Sequence, residues 1–554
     1  MTAYNQKNCH CAVFSAFWLS IAAAAPLEFF VSPSGSDSNP GTKERPFATL
    51  EKASAAVRER SADQKAIVTV RGGRYVFSKT WTLNGADSGT VGSPVIYRAF
   101  PEETVELTGF QDISLSTLKP VDSPEILNRL VDPRARAHLM ELDLSEVDMA
   151  LFGRISRKGY RLNRSSWPYN NDPNHVMGES PEVQLFIDGK RQVLARWPNQ
   201  NEQVNPDWKV YPTVQLPGVV GYQEVLDRGP YEADADFFDR GGKIRVDYDR
   251  VKYWTQADDI WVEGCLTASW RLTRNKIKTL DPDRQTLEFA YGEVGEVGRD
   301  LRLDSRVNNK ALVWSGPFFW YINLLEEIDV PGEYYIDYAN KKLYFYPPED
   351  MNFSRSRLSF PKLTGALVKL QNASQIVFDG LTLSGSLGSG IVVNGSDSVR
   401  IRNCEISDVS GTAIDLGNNQ NRNCVIEHCH IHGIGSQGVF LGGGNAIQMI
   451  RGNNVVSDCE IHDIGFSKLC WSSAVSFSVG SVGNTLQHSR IYDLPHMGIL
   501  FRGNENTIQY CEIYDFGKIF LDNGAIYGNS EGRMYEAGQK IYHNWFHTVP
   551  LDLP

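Results

Sequence analysis

The sequence predicts an all-β protein: a right-handed parallel β-helix with an inserted antiparallel β domain and a short N-terminal capping helix. Three observations predict it. One six-residue phrase recurs down the C-terminal third: NCEISD (403–408), HCHIHG (428–433), DCEIHD (458–463) and YCEIYD (510–515), with HSRIYD (488–493) and HNWFHT (543–548) as variants. Its isoleucines, at 406, 431, 461, 491 and 513, are 25, 30, 30 and 22 residues apart. Units of that size cannot bury an apolar face alone, so neighbours must stack. Finally, Cys and Ile alternate with Glu, His or Arg within the phrase, a period of two, and a second short strand follows each one: TAIDL (412–416), GVFL (438–441), AVSF (474–477), GILF (498–501) and GAIY (524–527). Gly and Asn punctuate the gaps as tight corners require, and no long amphipathic pattern offers a helical crossover. Coil therefore stacks on coil at about 4.8 Å per turn. A leucine-rich solenoid would need a denser leucine pattern, and a propeller would need antiparallel blades.

The elements follow in chain order. Lys7 and the apolar run AVFSAFWLSIAAAA (12–25) read as a secretory signal over residues 1–25, cleaved near Ala24 or Ala25. The run is short for a membrane span, so the chain is expected to be secreted, an uncleaved anchor being the alternative. Residues 26–117 form the first coils, with strands at FFVS (29–32), IVTV (67–70), TWTL (80–83), VIY (95–97) and VELTG (105–109). From Thr49 to about Arg60, Leu50, Ala53 and Val57 share one face, as in an amphipathic helix. Such a helix would protect the open edge of the first coil. From 118 to 356 the phrase disappears, and EVQLFIDGKRQVLARWP (182–198) reads as two strands around an Asp188-Gly189 hairpin turn. DPDRQTLEF (281–289) and IDYANKKLYFYP (336–347) look similar; this is the inserted, mostly antiparallel domain with its return segment. Residues 357–554 are the repeats that carry the candidate site.

Composition narrows the partners. A formal net charge of −11 argues against nucleic acid or an anionic membrane surface. Nine cysteines are present, and Cys9 and Cys11 would leave with the signal. The remaining seven leave at least one free thiol. Four of them, Cys404, Cys429, Cys459 and Cys511, sit two residues before the phrase isoleucine and are expected to form an inward ladder of small hydrophobes. Pairing of Cys424 with Cys429, or of Cys459 with Cys470, stays open. Sequons at Asn163, Asn352, Asn372 and Asn394 suit a secreted glycoprotein.

Three stretches carry a resemblance to a known group. The opening FVSPSGSDSNPGTKERPFATLEKA, the middle FIDGKRQVLARWPN and NLLEEIDVPGEYYIDYANKKLYFYPP, and the late GNNVVSDCEIHDIG, DLPHMGILFRGNENTIQYCEIYD and DNGAIYG occur in order along nearly the whole chain. Together they resemble secreted β-helix proteins of the pectin-lyase-like superfamily, most closely glycoside hydrolase family 141. The resemblance implies glycan hydrolysis by paired carboxylates, with one acid in the D-x-G-A-I-Y coil, here Asp522. It implies a second acid in a D-D-G phrase one or two coils later. The chain stops at Pro554, directly after HNWFHT, and GNSEG (528–532) stands where the group often carries Arg-Asp-Trp. Either further coils are expected beyond Pro554 or part of the site has been lost.

The residues also speak for themselves. Glycosidic cleavage needs one carboxyl to protonate the leaving oxygen and another as nucleophile or base. Asp463, Asp493 and Asp515 occupy one corner of three coils, with Asp408 below them. As structural residues they would cap their own turns; as a stack they would repel, raising the pKa of one. From the phrase isoleucine to the next strand takes 7, 7, 13, 7 and 11 residues, so the corners at 465–472 and 516–523 are long. Long loops on one solenoid face build binding surfaces. Trp471 and Phe520 in those loops are expected to stack on sugar rings. Asp522 lies in the second loop and is the first catalytic candidate; Asp493 is the second. His496, Arg502 and Glu505 lie on the adjoining strand and its exit and would orient substrate or tune the acid. Arg502 and Lys518 also suit a polysaccharide lyase, with Ca²⁺ at the acidic corner; hydrolysis itself calls for no cofactor. His428, His430 and His432 share the outward face of one strand with His462 beside them, a set that suits Zn²⁺. No carboxylate accompanies them in sequence, so a polar aromatic ladder continuing through Tyr492, Tyr514 and His547 is the expectation, with no metal. A non-catalytic glycan-binding scaffold is the remaining alternative.

Overall fold

Each repeat contributes three strands rather than two, and the phrase's first residue is the reason. In the computed structural model, Asn403, His428, Asp458, His488, Tyr510 and His543 all take left-handed backbone angles, with φ between 49° and 57°. Such a residue ends one strand and turns the chain into the next. The strand before it is the one the two-strand pattern misses: Arg400–Arg402, Val425–Glu427, Val455–Ser457, Thr485–Gln487, Thr507–Gln509 and Lys540–Tyr542. With Leu27–Val31, Ala66–Val70, Val95–Ala99 and Ile376–Asp379 these make a ten-stranded sheet, A. The phrase strands make a nine-stranded sheet, B, from Gly73–Val76 to Trp545–His547. The strands after the phrase make an eight-stranded sheet, C, from Trp81–Asn84 to Ile526–Gly528. The chain visits A, B and C in turn and winds a right-handed parallel β-helix. The structure describes residues 25–149 apart from 62, 153–159, 184–204, 216–298 apart from 232, 233, 235 and 269, 305–307, 310–312, 317–520, 522–528 and 536–549. The signal segment through Ala24 and the sequon at Asn163 lie outside them. Among the described residues no helix is long and apolar enough to cross a membrane.

Ladders of identical side chains fill the coil. Ile406, Ile431, Ile461, Ile491 and Ile513 pair in register through sheet B and are fully buried. Each such side chain contributes about 1.5–3 kcal/mol relative to exposure. The cysteine ladder runs beside it, and all seven described cysteines are buried free thiols, so neither pairing left open by the sequence forms. Where the ladder has Ser489 and Asn544 instead, their oxygens accept from the backbone N–H of Cys459 and Cys511. Space explains the glycines at the start of three sheet C strands: a Cβ on Gly390, Gly438 or Gly498 would sit 2.4–2.5 Å from the carbonyl oxygen of Ala413, Ala474 or Ala525 in the next coil. At the corner from C to A a second polar ladder stands fully buried: Asn421, Asn454, Asn484 and Asn506. The carboxamide oxygens of Asn454, Asn484 and Asn506 accept from the backbone N–H of Cys424, Asn454 and Asn484 respectively.

The N-terminal helix, α1 (Leu50–Arg58), starts where the Thr49 hydroxyl accepts from Lys52 N–H at 3.1 Å, and it buries Leu50, Ala53 and Val57. The insertion leaves the coil after Val105–Thr108 and returns at Val368–Gln371, which pairs with Trp81–Asn84. It therefore replaces a single corner from B to C. Phe110–Ile113 and Leu358–Pro361 pair antiparallel as its stem. Five- and seven-stranded sheets follow, antiparallel except where Val193–Leu194 meets Glu333–Tyr334. Asp188 and Gly189 both take positive φ in the tight turn joining Phe186–Ile187 to Lys190–Arg191. Because it grows from a B–C corner, the insertion stands over the B–C corners of later coils: Arg191 reaches Asp408, and Lys158 donates to the Ser467 carbonyl.

Candidate active site

The aspartate column is a set of corner residues first. Asp408, Gly433, Asp463, Asp493 and Asp515 all take φ between 49° and 61°, a conformation that Gly, Asp and Asn tolerate best. Cations then neutralise most of it. Asp408 meets Arg191 at 3.0 Å, while Lys518 bridges Asp493 at 2.6 Å and Asp515 at 2.7 Å. The Asp408 carboxyl is raised above the ordinary aspartate range, by burial rather than mainly by its neighbours, and Arg191 works against the rise. Burial would lower the pKa of Lys518, but its hydrogen bonds to both aspartates outweigh that and raise it.

The two long corners do not stand open as flaps. Phe520 is fully buried, 6.2 Å from the Phe318 ring and 5.2 Å from His496, in a cluster with Trp261, Cys265, Trp320 and Cys470. This corrects its expected role as a sugar platform: the ring anchors its corner to the insertion. Trp471 is half-buried and holds φ 62°, an outlier for so bulky a residue of the kind that clusters at functional sites. Its ring lies edge-on to Tyr527, Trp270 and His496.

His496 joins the two corners. It is fully buried; its Nδ1 accepts from Trp471 N–H at 2.8 Å and its Nε2 donates to the Asp522 carbonyl at 2.6 Å. The accepting Nδ1 requires the neutral imidazole, and burial pulls its pKa down to about 4. The Asp522 backbone is thus fixed from below. Its side chain is exposed, and Tyr527 donates its hydroxyl to Oδ1 at 3.0 Å. Burial, then the Asp522 charge, pushes Tyr527 up to about 12, so it remains a donor at neutral pH. Asp522 has no ion pair among the described residues.

A cavity of about 630 Å³ opens between insertion and coils. Asp463, Phe466, Asp493, Pro495 and Lys518 line it from the coils; Arg191, Arg196, Glu263, Arg274 and Trp320 line it from the insertion. Glu263 and Arg274 form a buried pair at 2.8 Å in its wall. The structure therefore brings Asp463 and Asp493 together in this cavity, with Asp515 behind Lys518. Asp522, Trp471 and His496 form an adjoining group. Arg502 follows Phe501 on sheet C, and its charge acts on Tyr527. Glu505 does not join them: it lies at the corner from C to A, at the other end of the Met497–Phe501 strand from His496, and pairs with Arg451. Sequence reasoning missed Tyr527, although it closes the G-A-I-Y phrase. It also missed Arg191, which sits 217 residues from Asp408 and leaves no local signal.

The outer face of sheet B carries the expected aromatic ladder. His432, His462, Tyr492, Tyr514 and His547 stack in succession with centroids 4.6–5.4 Å apart and planes 8–11° from parallel.

Residues 348–455 match the family described as the right handed beta helix region. An 80-residue stretch is 41% identical to the uncharacterized protein YwoF of Bacillus subtilis (strain 168), spanning 14% of this chain and 15% of that one. A solved glycoside hydrolase is similar over 94% of this chain and 95% of its own, with a TM-score of 0.63 and 15% identity. The complex of XylC with xylose is similar over 94% of this chain and 64% of its own, with a TM-score of 0.43 and 12% identity. The glycoside hydrolase shares the fold across the insertion as well as the coils.

Proposed function

We propose that the protein is a secreted glycoside hydrolase acting on a polysaccharide or complex glycan. Asp522 serves as the general acid and base, and Asp493 as the second carboxylate. The observation that carries this reading is the placement of Asp522. Its backbone is pinned by a buried neutral histidine and its carboxylate is aimed by Tyr527. It stands exposed beside Trp471 with no ion pair among the described residues, as an acid that must reach a leaving oxygen does. Asp493 lines the cavity and pairs with Lys518, which supports reading it as the nucleophile or base. Lys518 is held as a cation by two carboxylates and so is poorly suited to abstract a proton, which supports hydrolysis over elimination.

Asp522→Asn tests the reading. Turnover of a cleaved glycan should fall by about 10²–10⁴-fold, the usual weight of a general acid. Affinity for the same glycan, measured by calorimetry, should stay within about threefold, because carboxyl and carboxamide are nearly isosteric. A variant that still turns over removes Asp522 from the chemistry. A wild-type protein that binds glycans and cleaves none is a binding scaffold.

A further inference from the structure

We propose that Glu405, His430 and His432 bind a divalent transition metal, Zn²⁺, on the outer face of sheet B, with His462 at hand as a further nitrogen. The donor atoms of Glu405, His430 and His432 lie within 4.8 Å of one another. Tetrahedral zinc with bonds of 2.0–2.1 Å spaces its ligand atoms about 3.3 Å apart, so small rotations of these part-exposed side chains bring all three onto one ion. The His462 Nε2 is 2.8 Å from the His430 Nε2. The carboxylate that the sequence lacked is supplied by the preceding coil: Glu405 Oε1 is 3.1 Å from His432 Nε2 and 27 residues away from it in the chain.

The stacking ladder does not account for this cluster. It needs one aromatic per coil, and His432 and His462 provide that. His430 stands in the neighbouring column, opposite Glu405 and Glu460, where the next coils carry Arg490 and Glu512. There it leans across to His462, and two ring nitrogens meet with one proton between them. One of the two rings must offer its lone pair in that contact, the group that ligates zinc. Imidazole with carboxylate suits zinc among the available divalent ions.

The chain contains its own control. At the last phrase, His547 Nε2 lies 3.1 Å from Glu512 Oε1, the same pairing as His432 with Glu405. There Trp545 occupies the place of His430. A lone histidine–carboxylate pair should not hold the ion; the second imidazole makes the site. Bound metal would tie successive coils together next to Asp463, at the edge of the cavity.

The test uses the full chain, stripped with chelator and titrated with zinc chloride by calorimetry, with cobalt(II) absorption as a second readout. One equivalent should bind, and the thermal midpoint should rise with zinc but not with magnesium. His430→Gln and Glu405→Gln should each weaken binding at least tenfold, while His547→Gln and Glu512→Gln leave it unchanged. Circular dichroism of each variant confirms that the coil is folded, and zinc affinity is compared only among folded variants. Absence of saturable binding to the wild type overturns the proposal. So does binding that survives both His430→Gln and His432→Gln.

Discussion

His496 is neutral because its burial, together with the lone pair that Nδ1 gives to Trp471 N–H, opposes the proton and outweighs the opposite pull of Asp522, and that gives the protein a specific acid sensitivity. Its folded pKa, about 4, lies below the ordinary value of 6.5. As pH falls from 6.5, the unfolded chain takes up the proton before the native state does, so the native state loses stability through that window. The contribution is whole above pH 6.5 and lost by about pH 4, a change of order 3 kcal/mol. Urea unfolding across that range should show the loss in wild type and a flatter profile in His496→Gln. The same variant should lower turnover more than it raises KM, because it frees the Asp522 backbone without touching substrate contacts. Equal slopes for the two proteins would remove His496 from the account.

Among the elements, the ladders divide the work: isoleucine supplies apolar burial and asparagine satisfies corner backbone. Truncating Asn454 leaves the Cys424 N–H without its acceptor inside the coil. A buried unsatisfied donor costs about 1–3 kcal/mol, so Asn454→Ala should lower unfolding free energy by about 2 kcal/mol. Ile461→Ala should cost more, about 2–5 kcal/mol, because the stacked coils cannot collapse into the cavity it leaves. Chemical denaturation of both variants checks the order. The phrase strands were legible because Cys and Ile recur two residues apart in the same phrase, coil after coil. The sheet A strands of the later coils, from Arg400–Arg402 onward, were not, because each has only three residues before a left-handed corner, too few for any pattern to show. The aspartates were legible as a corner column for the same conformational reason; their cations were invisible because Arg191 lies on the insertion.

On the scale of the whole molecule, one enlarged corner has become a domain that leans back over its siblings. Phe520 illustrates what sequence could not reveal: an aromatic in a long loop reads as a ligand platform until the insertion that covers it is in place. Phe520→Ala should cost about 3–5 kcal/mol of core packing and loosen the insertion from the coils. Hydrogen exchange should then quicken at Trp261–Cys265 and Phe318–Ile322 while sheets A and B stay protected. The docking of insertion on coils is also what encloses the cavity beside Asp522, so the hydrolase reading rests on both parts. Its most direct test is to digest a cleaved glycan in heavy-oxygen water and weigh the products. Hydrolysis predicts one heavy oxygen per bond cleaved, on the anomeric carbon of the new reducing end, with no unsaturated sugar, and loss of both product and label in Asp522→Asn. Unsaturated products without the heavy oxygen would show elimination and contradict the account.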